Sequence, residues 1–305
     1  MIVTMSLFGI LNVNKSAGLT SRAVVDRVDR LIRPIRSGHA GTLDPLAMGV
    51  LVICVGQATR LIQYVQQMPK TYHATFLLGH RSETDDTEGE VIPLTDPPMP
   101  SRHEIDQVLP QFTGDIQQRP PDHSAVKLAG KRAYKLARRG IAVEIAPRAV
   151  TIHSINIRRY EYPQLEVDVI CGSGTYIRSL GRDLGAALGT AAIMTALERS
   201  AIGNFNIKDA ITPDDLDLEA LVCCLQPALV AIPDLPRVVL TDAQLIEIRN
   251  GRPILSSWLA LEPTPIGIGQ GQGAFELAAL DSTGGLAALL YEKRPGELWP
   301  AMNFA

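Results

Sequence analysis

The sequence has few of the features that mark metal enzymes, redox enzymes and membrane proteins. It has only four cysteines and no C-x-x-C spacing, which disfavours a zinc site or a redox pair. Its six histidines are scattered without metal-ligand spacing. No apolar run approaches the roughly 18 residues that span a bilayer. Aromatic residues are only 5% of the chain, which disfavours a sugar-binding cleft.

The common nucleotide-binding signatures are also missing. Gly172 and Gly174 are followed by Ile177, so the G-x-G-x-x-G fingerprint fails. The Gly130-Lys131 pair has no upstream glycine of a P-loop. The sequence therefore implies neither NAD nor ATP, and we expect no cofactor and no metal.

The start of the chain favours a cytoplasmic protein. Met1 to Leu11 is apolar, but it has no basic leading segment and no small-residue cleavage signature. We therefore expect neither a secretory signal nor a membrane partner. In that compartment the four cysteines, Cys54, Cys171, Cys223 and Cys224, are expected to be buried structural thiols.

The length of 305 residues predicts one large domain and a smaller one, each with its own core. A boundary near Pro233 to Pro236 divides the chain into 1–236 and 237–305. Hydrophobic periodicity and turn residues predict the main elements. These are a helix capped by Thr20 or Ser21, strands over Val50–Val55, Tyr72–Leu78 and Leu165–Cys171, a helix within Thr175–Leu188, a helix over Ala243–Asn250, and strands over Phe275–Leu280 and Leu286–Tyr291.

Charge is unevenly distributed along the chain. The formal net charge is only −3. Yet seven basic residues lie between Arg119 and Arg139, opposed only by Asp122. Such a face either is solvated or binds a phosphate backbone, and the charge pattern leaves both open. The acidic run Ser82–Glu90 fits no calcium loop, and we interpret it as a solvated turn.

Asp44 lies in a loop rich in small residues that leads into the predicted strand Val50–Val55. An aspartate before a proline is usually a turn residue. The glycines of the segment Gly38–Gly49, however, leave room for a ligand to approach the backbone. A buried strand also gives such a loop rigid support. Asp44 is therefore a candidate catalytic carboxylate.

Several segments resemble, in order, the motifs of the TruB family of tRNA pseudouridine synthases. The most specific is Gly38–Gly49, which contains Gly-Thr-Leu-Asp-Pro-Leu. The others are Leu11–Ser21, Lys70–Tyr72, Leu78–Gly79, Thr84–Asp86, Ser124–Lys127 and Gly174–Ser179. Ser16, Asn14, Ala40, Met48 and Asp122-His123 depart from the commoner family residues, but none of these changes removes a reacting group.

The resemblance implies an α+β fold with a mixed, largely antiparallel sheet flanked by helices. It implies a catalytic domain over 1–236 with a basic RNA-binding insertion at 119–150, and a small β-rich, PUA-like RNA-binding domain over 237–305. The implied activity is isomerisation of uridine to pseudouridine at position 55 in the T-loop of tRNA, after the base is flipped out. The expected partner is the T-arm of tRNA, with no obligate protein partner and a monomeric enzyme.

The resemblance also assigns roles to individual residues. Asp44 matches the essential aspartate, Arg178 the arginine that pairs with it, and Tyr72 the aromatic expected to stack on the uracil and to accept the C5 proton. Whether Asp44 attacks the sugar, attacks the base or removes a sugar proton stays open. The implied substrate-binding residues are His39, Asp86, Tyr176, Leu197, Lys15, Lys127 and Lys131.

Two other functions are compatible with parts of the sequence. The first is an RNA-binding protein or tRNA-folding chaperone without catalysis. A mere binder, however, needs no carboxylate facing a polyanion. The second is a sugar-processing enzyme with paired carboxylates. The basic stretch and the low aromatic content disfavour it.

Overall fold

The computed structural model describes residues 7–124, 127–128, 131–132, 145–259 and 276–304. Within these ranges the chain has an α+β architecture with mixed sheets, as the family resemblance implies. The helices are α1 (Ser21–Ile32), α2 (Ile62–Gln67), α3 (Arg102–Val108), α4 (Ile177–Ala187), α5 (Leu218–Cys224) and α6 (Asp242–Arg249). No helix among the described residues is long and apolar enough to cross a membrane.

The strands fall into a large sheet, a C-terminal sheet and two short hairpins among the described residues. The first nine are β1 (Gly9–Lys15), β2 (Ser37–His39), β3 (Met48–Val55), β4 (Lys70–Leu78), β5 (His80–Arg81), β6 (Ile92–Pro93), β7 (Gly114–Gln118), β8 (Lys127–Leu128) and β9 (Lys131–Arg132). The others are β10 (Arg148–Glu161), β11 (Gln164–Cys171), β12 (Ala192–Ile202), β13 (Phe205–Asn206), β14 (Arg237–Val239), β15 (Ile254–Leu255), β16 (Glu276–Leu280), β17 (Leu286–Arg294) and β18 (Glu297–Asn303).

The large sheet has the order β1-β3-β12-β4-β11-β10-β7, with β2 beside β3 and β13 beside β12. Its pairs are antiparallel except β3 and β12, which run parallel. The sheet is therefore mixed and largely antiparallel, as expected. The strands β3, β12 and β4 lie side by side at its centre, although they are far apart in the sequence.

Strand β3 is apolar throughout because both of its faces are covered. Leu51, Ile53 and Val55 pack with one face of helix α1. Val50 and Val52 point the other way, into a second core. Helix α1 begins where the sequence predicts, since the Thr20 hydroxyl accepts a hydrogen bond from the Ala23 N–H.

Helix α4 packs closely on strand β4. Side chains alternate between the two faces of β4, and Tyr72, Phe76 and Leu78 join the core that contains Leu180 of α4. Gly181 permits the close approach, because a Cβ atom there would lie 2.5 Å from the Phe76 ring. This packing brings the first turn of α4 next to the strand that carries Tyr72.

The C-terminal sheet has the order β14-β16-β17-β18-β15 and lies within the last 70 residues. One face packs with helix α6 in a core that includes Val238, Leu245 and Ile254. The other face contributes Leu289 and Phe304 to the core that also holds parts of β1 and β3. The predicted helix and strands of this region are confirmed, with ends shifted by up to three residues. Phe275 lies outside the described residues.

The expectation of four buried thiols is half right. Cys54 and Cys171 are buried in the sheet, and burial raises the pKa of these thiols to about 12 and about 11. Cys223 and Cys224 are exposed, so the prediction is wrong for them. They lie in the last turn of α5, where only Leu221 is buried among the helix residues.

Candidate active site

The Asp44 loop is held by side chains from two other elements. The Ser21 hydroxyl, at the start of α1, donates to the Leu43 carbonyl at 3.0 Å and accepts from the Leu43 N–H at 2.8 Å. The Lys15 ammonium, at the end of β1, donates to the Pro45 carbonyl at 3.4 Å. The loop therefore presents Asp44 from a backbone that is held on both of its sides.

Arg178 forms a bidentate ion pair with the Asp44 carboxylate. Its Nε lies 2.9 Å from Oδ2, and its Nη2 lies 3.2 Å from Oδ1. The arginine side chain is only 6% exposed, while that of Asp44 is 34% exposed. Such a two-pronged pair is stronger and more directional than a single contact, so it fixes the orientation of the carboxylate.

The remaining donors of Arg178 tie it to two other segments. Nη1 donates to the Thr84 carbonyl at 2.9 Å and lies 3.4 Å from the Asp86 carboxylate. Nη2 also donates to the His123 carbonyl at 3.2 Å. The orientation of Arg178 is thus set before any substrate binds.

The acidic run Ser82–Glu90 is not the solvated turn that the sequence suggested. Asp86 is 1% exposed, and its carboxylate accepts from the Glu88 N–H at 2.9 Å. Asp85 pairs with Arg182 at 3.0 Å, one turn after Arg178 on α4. Burial raises the pKa of Asp85, with Arg182 opposing the shift. Both aspartates are held by arginines of one helix, which local charge spacing does not reveal.

Asp44 lies in the wall of a cavity of about 660 Å³. Four other residues that the sequence singles out line the same cavity, namely Tyr72, Tyr176, Arg178 and Leu197. Tyr72 and Leu197 lie on the adjacent strands β4 and β12. Burial raises the pKa of Tyr72 above its usual value, although Arg199 opposes the shift. The phenol is therefore neutral near pH 7.

The other predicted site residues are not among the residues that line the cavity. Lys15 is fully buried beneath the Asp44 loop. Asp86 is enclosed behind Arg178, and His39 precedes the lining residue Ala40. Lys127 and Lys131 belong to the hairpin β8–β9, but their side chains lie outside the described residues. Substrate contacts by these five residues stay predictions.

Sequence reasoning missed Arg199, a fully buried cation in β12. It lines the cavity and donates from Nε to the Val50 carbonyl at 2.8 Å and from Nη2 to the Gly41 carbonyl at 3.1 Å. It also hydrogen-bonds the side chain of Tyr72. The available signal was its position two residues after Leu197, which places both on one face of the strand.

The arrangement suits chemistry that needs one carboxylate in a positively charged pocket. Among the described lining residues Asp44 is the only acid, whereas the bases are Lys70, Arg148, Arg178 and Arg199. The carboxylate can act as a nucleophile or a base. The cations suit a substrate that carries phosphate groups.

Comparisons with known proteins agree with this geometry. The model of the TruB family pseudouridylate synthase (N terminal domain) matches residues 29–177. A tRNA pseudouridine synthase B of Rhodopirellula baltica is 41% identical over 261 residues, which are 81% of this chain and 75% of that protein. A tRNA pseudouridine synthase B of Dehalococcoides mccartyi is 44% identical over 249 residues, which are 80% of this chain and 82% of that protein.

Solved structures show a related fold. A chain in the structure of an H/ACA RNP bound to a substrate RNA containing 2′-deoxyuridine superposes with a TM-score of 0.73 at 24% identity, over 98% of this chain and 86% of the other. A chain in a Cbf5-Nop10-Gar1 complex superposes with a TM-score of 0.71 at 26% identity, over 98% of this chain and 84% of the other. By sequence identity and coverage, the chain belongs to the TruB family of pseudouridylate synthases.

Proposed function

We propose that this protein converts uridine to pseudouridine in tRNA, at position 55 of the T-loop. The observation that carries the proposal is the Asp44–Arg178 ion pair at the wall of a cavity that Tyr72 also lines. The relatives named tRNA pseudouridine synthase B support the choice of tRNA as the substrate.

The reaction is a rearrangement within one nucleotide. The bond between ribose C1′ and uracil N1 breaks, a bond between C1′ and C5 forms, C5 loses a proton and N1 gains one. No atom is oxidised, so the step needs no electron acceptor. Attack on the sugar, attack on the base and removal of a sugar proton all require an ionised carboxylate, which Asp44 supplies.

The target base must leave its stack to reach Asp44. Flipping costs a few kcal/mol, which contacts inside the cavity must offset. Leu197 offers an apolar wall, and Tyr72 offers a ring for the uracil to stack on. Because burial raises the pKa of Tyr72, its phenolate is scarce at neutral pH. Stacking therefore suits Tyr72 better than proton abstraction.

Contacts outside the cavity would provide most of the affinity for tRNA. We propose that the basic segment 119–150, with Lys127 and Lys131, binds the phosphate backbone. The segment 237–305 is the proposed second RNA-binding unit. Arg178 contacts the His123 carbonyl, so the basic segment begins directly beside the catalytic pair. We propose that the enzyme works as a cytoplasmic monomer.

The test uses purified protein, without added metal, and an unmodified tRNA transcript that carries tritium at C5 of uridine. We expect release of about one tritium per transcript and one pseudouridine, mapped to position 55. A transcript with cytidine at that position is the control and should release none. Binding of tRNA without any release would instead favour the chaperone, and release from other positions would overturn the site assignment.

A further inference from the structure

Lys70 is a buried cation in the same cavity to which the reaction above gives no role. It is the first residue of β4, and its side chain lies on the same face as Tyr72, two residues later. The residue is 7% exposed, yet it lines the cavity beside Gln66 and Arg199. It is therefore shielded from bulk solvent but borders the space that a substrate would fill.

The ammonium of Lys70 has little to balance its charge. Within the described residues its hydrogen-bond partner is the carbonyl of Gln66, in the last turn of α2, and no carboxylate pairs with it. A lysine ammonium has three donors, so two remain for other partners. Burial and the neighbouring Arg199 lower the pKa of Lys70 to about 8, which means that the charged form is held at a cost.

The neighbouring arginines, unlike Lys70, already use their hydrogen-bond donors on protein groups. Arg178 is committed to Asp44, Asp86 and backbone carbonyls. Arg199 is committed to the carbonyls of Val50 and Gly41. A buried cation with free donors beside a substrate cavity is complementary to an anion of the substrate. In a uridine nucleotide the uracil is neutral, and the anionic groups are the flanking phosphodiesters.

We propose that Lys70 binds one of the two phosphodiesters that flank the target uridine, and so holds the flipped nucleotide in the cavity. This inference rests on the proposed function, because it takes the flipped nucleotide as the occupant. The alternative is a purely structural lysine that stabilises the C-terminal end of α2 through the Gln66 carbonyl. A structural lysine would not distinguish a charged phosphate from a neutral one.

The experiment is a binding cycle between protein and RNA. Three T-arm hairpins are compared, namely one with natural linkages and two with a neutral methylphosphonate on the 5′ or the 3′ side of the target uridine. Each is titrated by fluorescence anisotropy with wild type, with Lys70→Met, which keeps the aliphatic stem, and with Lys208→Met, an exposed lysine outside the cavity. Circular dichroism and urea unfolding check that the variants fold. Lys70→Gln replaces the methionine variant if that is poorly folded.

For wild type we expect one of the two methylphosphonates to weaken binding about 10-fold, the other having a smaller effect. Lys70→Met should bind the natural hairpin about 10-fold more weakly than wild type does. Its affinity should not fall further when the linkage to which wild type is sensitive carries the methylphosphonate. The slope of the logarithm of the binding constant against the logarithm of the salt concentration should become less steep by about 0.7 to 0.9, because one phosphate contact is lost. Lys208→Met should behave as wild type.

The proposal would be overturned if the methylphosphonate at the sensitive linkage weakened binding to Lys70→Met as much as it weakens binding to wild type. It would also be overturned if Lys70→Met bound the natural hairpin as tightly as wild type does. The cycle measures binding, not turnover, so it separates the two claims. The effects of Lys70→Met and of the methylphosphonate on binding could prove non-additive although wild type releases no tritium. That result would refute the proposed function and leave the phosphate contact supported.

Discussion

At the residue scale, Arg178 concentrates several contacts on one guanidinium. It pairs with Asp44 and Asp86 and donates to the carbonyls of Thr84 and His123. Replacing Arg178 with methionine leaves the buried Asp86 without its counter-charge. Loss of one partner of a buried pair costs about 3–5 kcal/mol of unfolding free energy. Misplacing the Asp44 carboxylate by about 1 Å can by itself slow turnover about 100-fold.

We therefore predict that Arg178→Met loses both stability and turnover. Arg182→Met is the matched control, because Arg182 lies one turn later on α4, is 31% exposed and pairs with Asp85. Because solvent screens a pair more strongly as its exposure rises, the loss of Arg182 should cost less unfolding free energy than the loss of Arg178. Urea unfolding and single-turnover assays measure both effects. Equal losses in the two variants would show that Arg178 has no special role.

A second residue-scale prediction concerns pH. Lys15 is fully buried, and burial, reinforced by Arg199 and opposed by Asp44, lowers its pKa to about 8. Below pH 8 both folded and unfolded chains hold this proton, so the cost of burying the charge is fully present. Between pH 8 and about 10 the folded chain releases the proton while the unfolded chain keeps it. Stability attributable to Lys15 therefore rises with pH in this window.

The difference in unfolding free energy between wild type and Lys15→Met should thus shift by about 2 kcal/mol in favour of wild type from pH 7.5 to pH 9.5. Urea unfolding at the two pH values measures it. The same comparison for the exposed Lys208→Met should show no shift. A pH-independent difference for Lys15→Met would mean that its ammonium is hydrated in the folded protein.

At the scale of elements, the site depends on how β3 meets β12. Gly49, in β3, has φ +102°, and a Cβ atom there would lie 2.3 Å from the Arg199 carbonyl oxygen. An alanine must therefore push the two strands apart, and this displaces both Arg199 and the end of the Asp44 loop. The steric clash adds to a backbone strain of about 1–3 kcal/mol.

Gly49→Ala should accordingly lose more stability than strain alone explains, and its turnover should fall. Gly189→Ala isolates the strain, since Gly189 has φ +71° and open space around the added Cβ atom. The control should cost about 1 kcal/mol and leave turnover unchanged. Thermal unfolding and tritium release compare them. Matching behaviour of the two variants would contradict a close β3–β12 contact.

Elements that depend on local pattern could be predicted from the sequence. The cap at Thr20 and the valines of α1 fixed that helix, and the apolar run Val50–Val55 fixed the core of β3. Strand order could not be predicted in this way, because β12 joins β3 to β4 across more than 100 residues. For the same reason Arg199 was missed. Its partners Gly41 and Val50 come from a distant part of the chain.

Recognition of Asp44, Tyr72 and Arg178 as a group also required more than local pattern. Taken alone, Asp44 is an ordinary turn residue, and only its resemblance to a family motif linked it to Arg178. The structure places the two in contact. The exposure of Cys223 was mispredicted because an apolar sequence segment does not reveal which of its faces finds a partner.

At the scale of the whole molecule, the C-terminal sheet shares a core with the large sheet. Phe304 is 7% exposed and stacks on Phe8 with ring centroids 5.3 Å apart. The Arg60 guanidinium lies over the Phe304 ring, and the Tyr64 hydroxyl donates to Glu276 at 2.8 Å. Such a shared core predicts that both parts unfold together.

Phe304→Ala should reduce the stabilising free energy of this contact by about 3–5 kcal/mol. Thermal unfolding should then split into two transitions. Val239→Ala, in the same sheet but 62% exposed, should change stability by at most about 0.5 kcal/mol and keep one transition. Calorimetry resolves the transitions. A single transition in Phe304→Ala at the wild-type temperature would show that Phe304 does not stabilise the contact between the two sheets, and two transitions in wild type would show that the sheets unfold independently.

The most direct test of the whole account is tritium release from C5-labelled tRNA by wild type and by Asp44→Asn. The asparagine keeps the shape of the side chain but removes its charge, so the variant should fold and still bind tRNA. We predict release by wild type and none by the variant. Equal release by both proteins would contradict the central claim that the Asp44 carboxylate performs the chemistry.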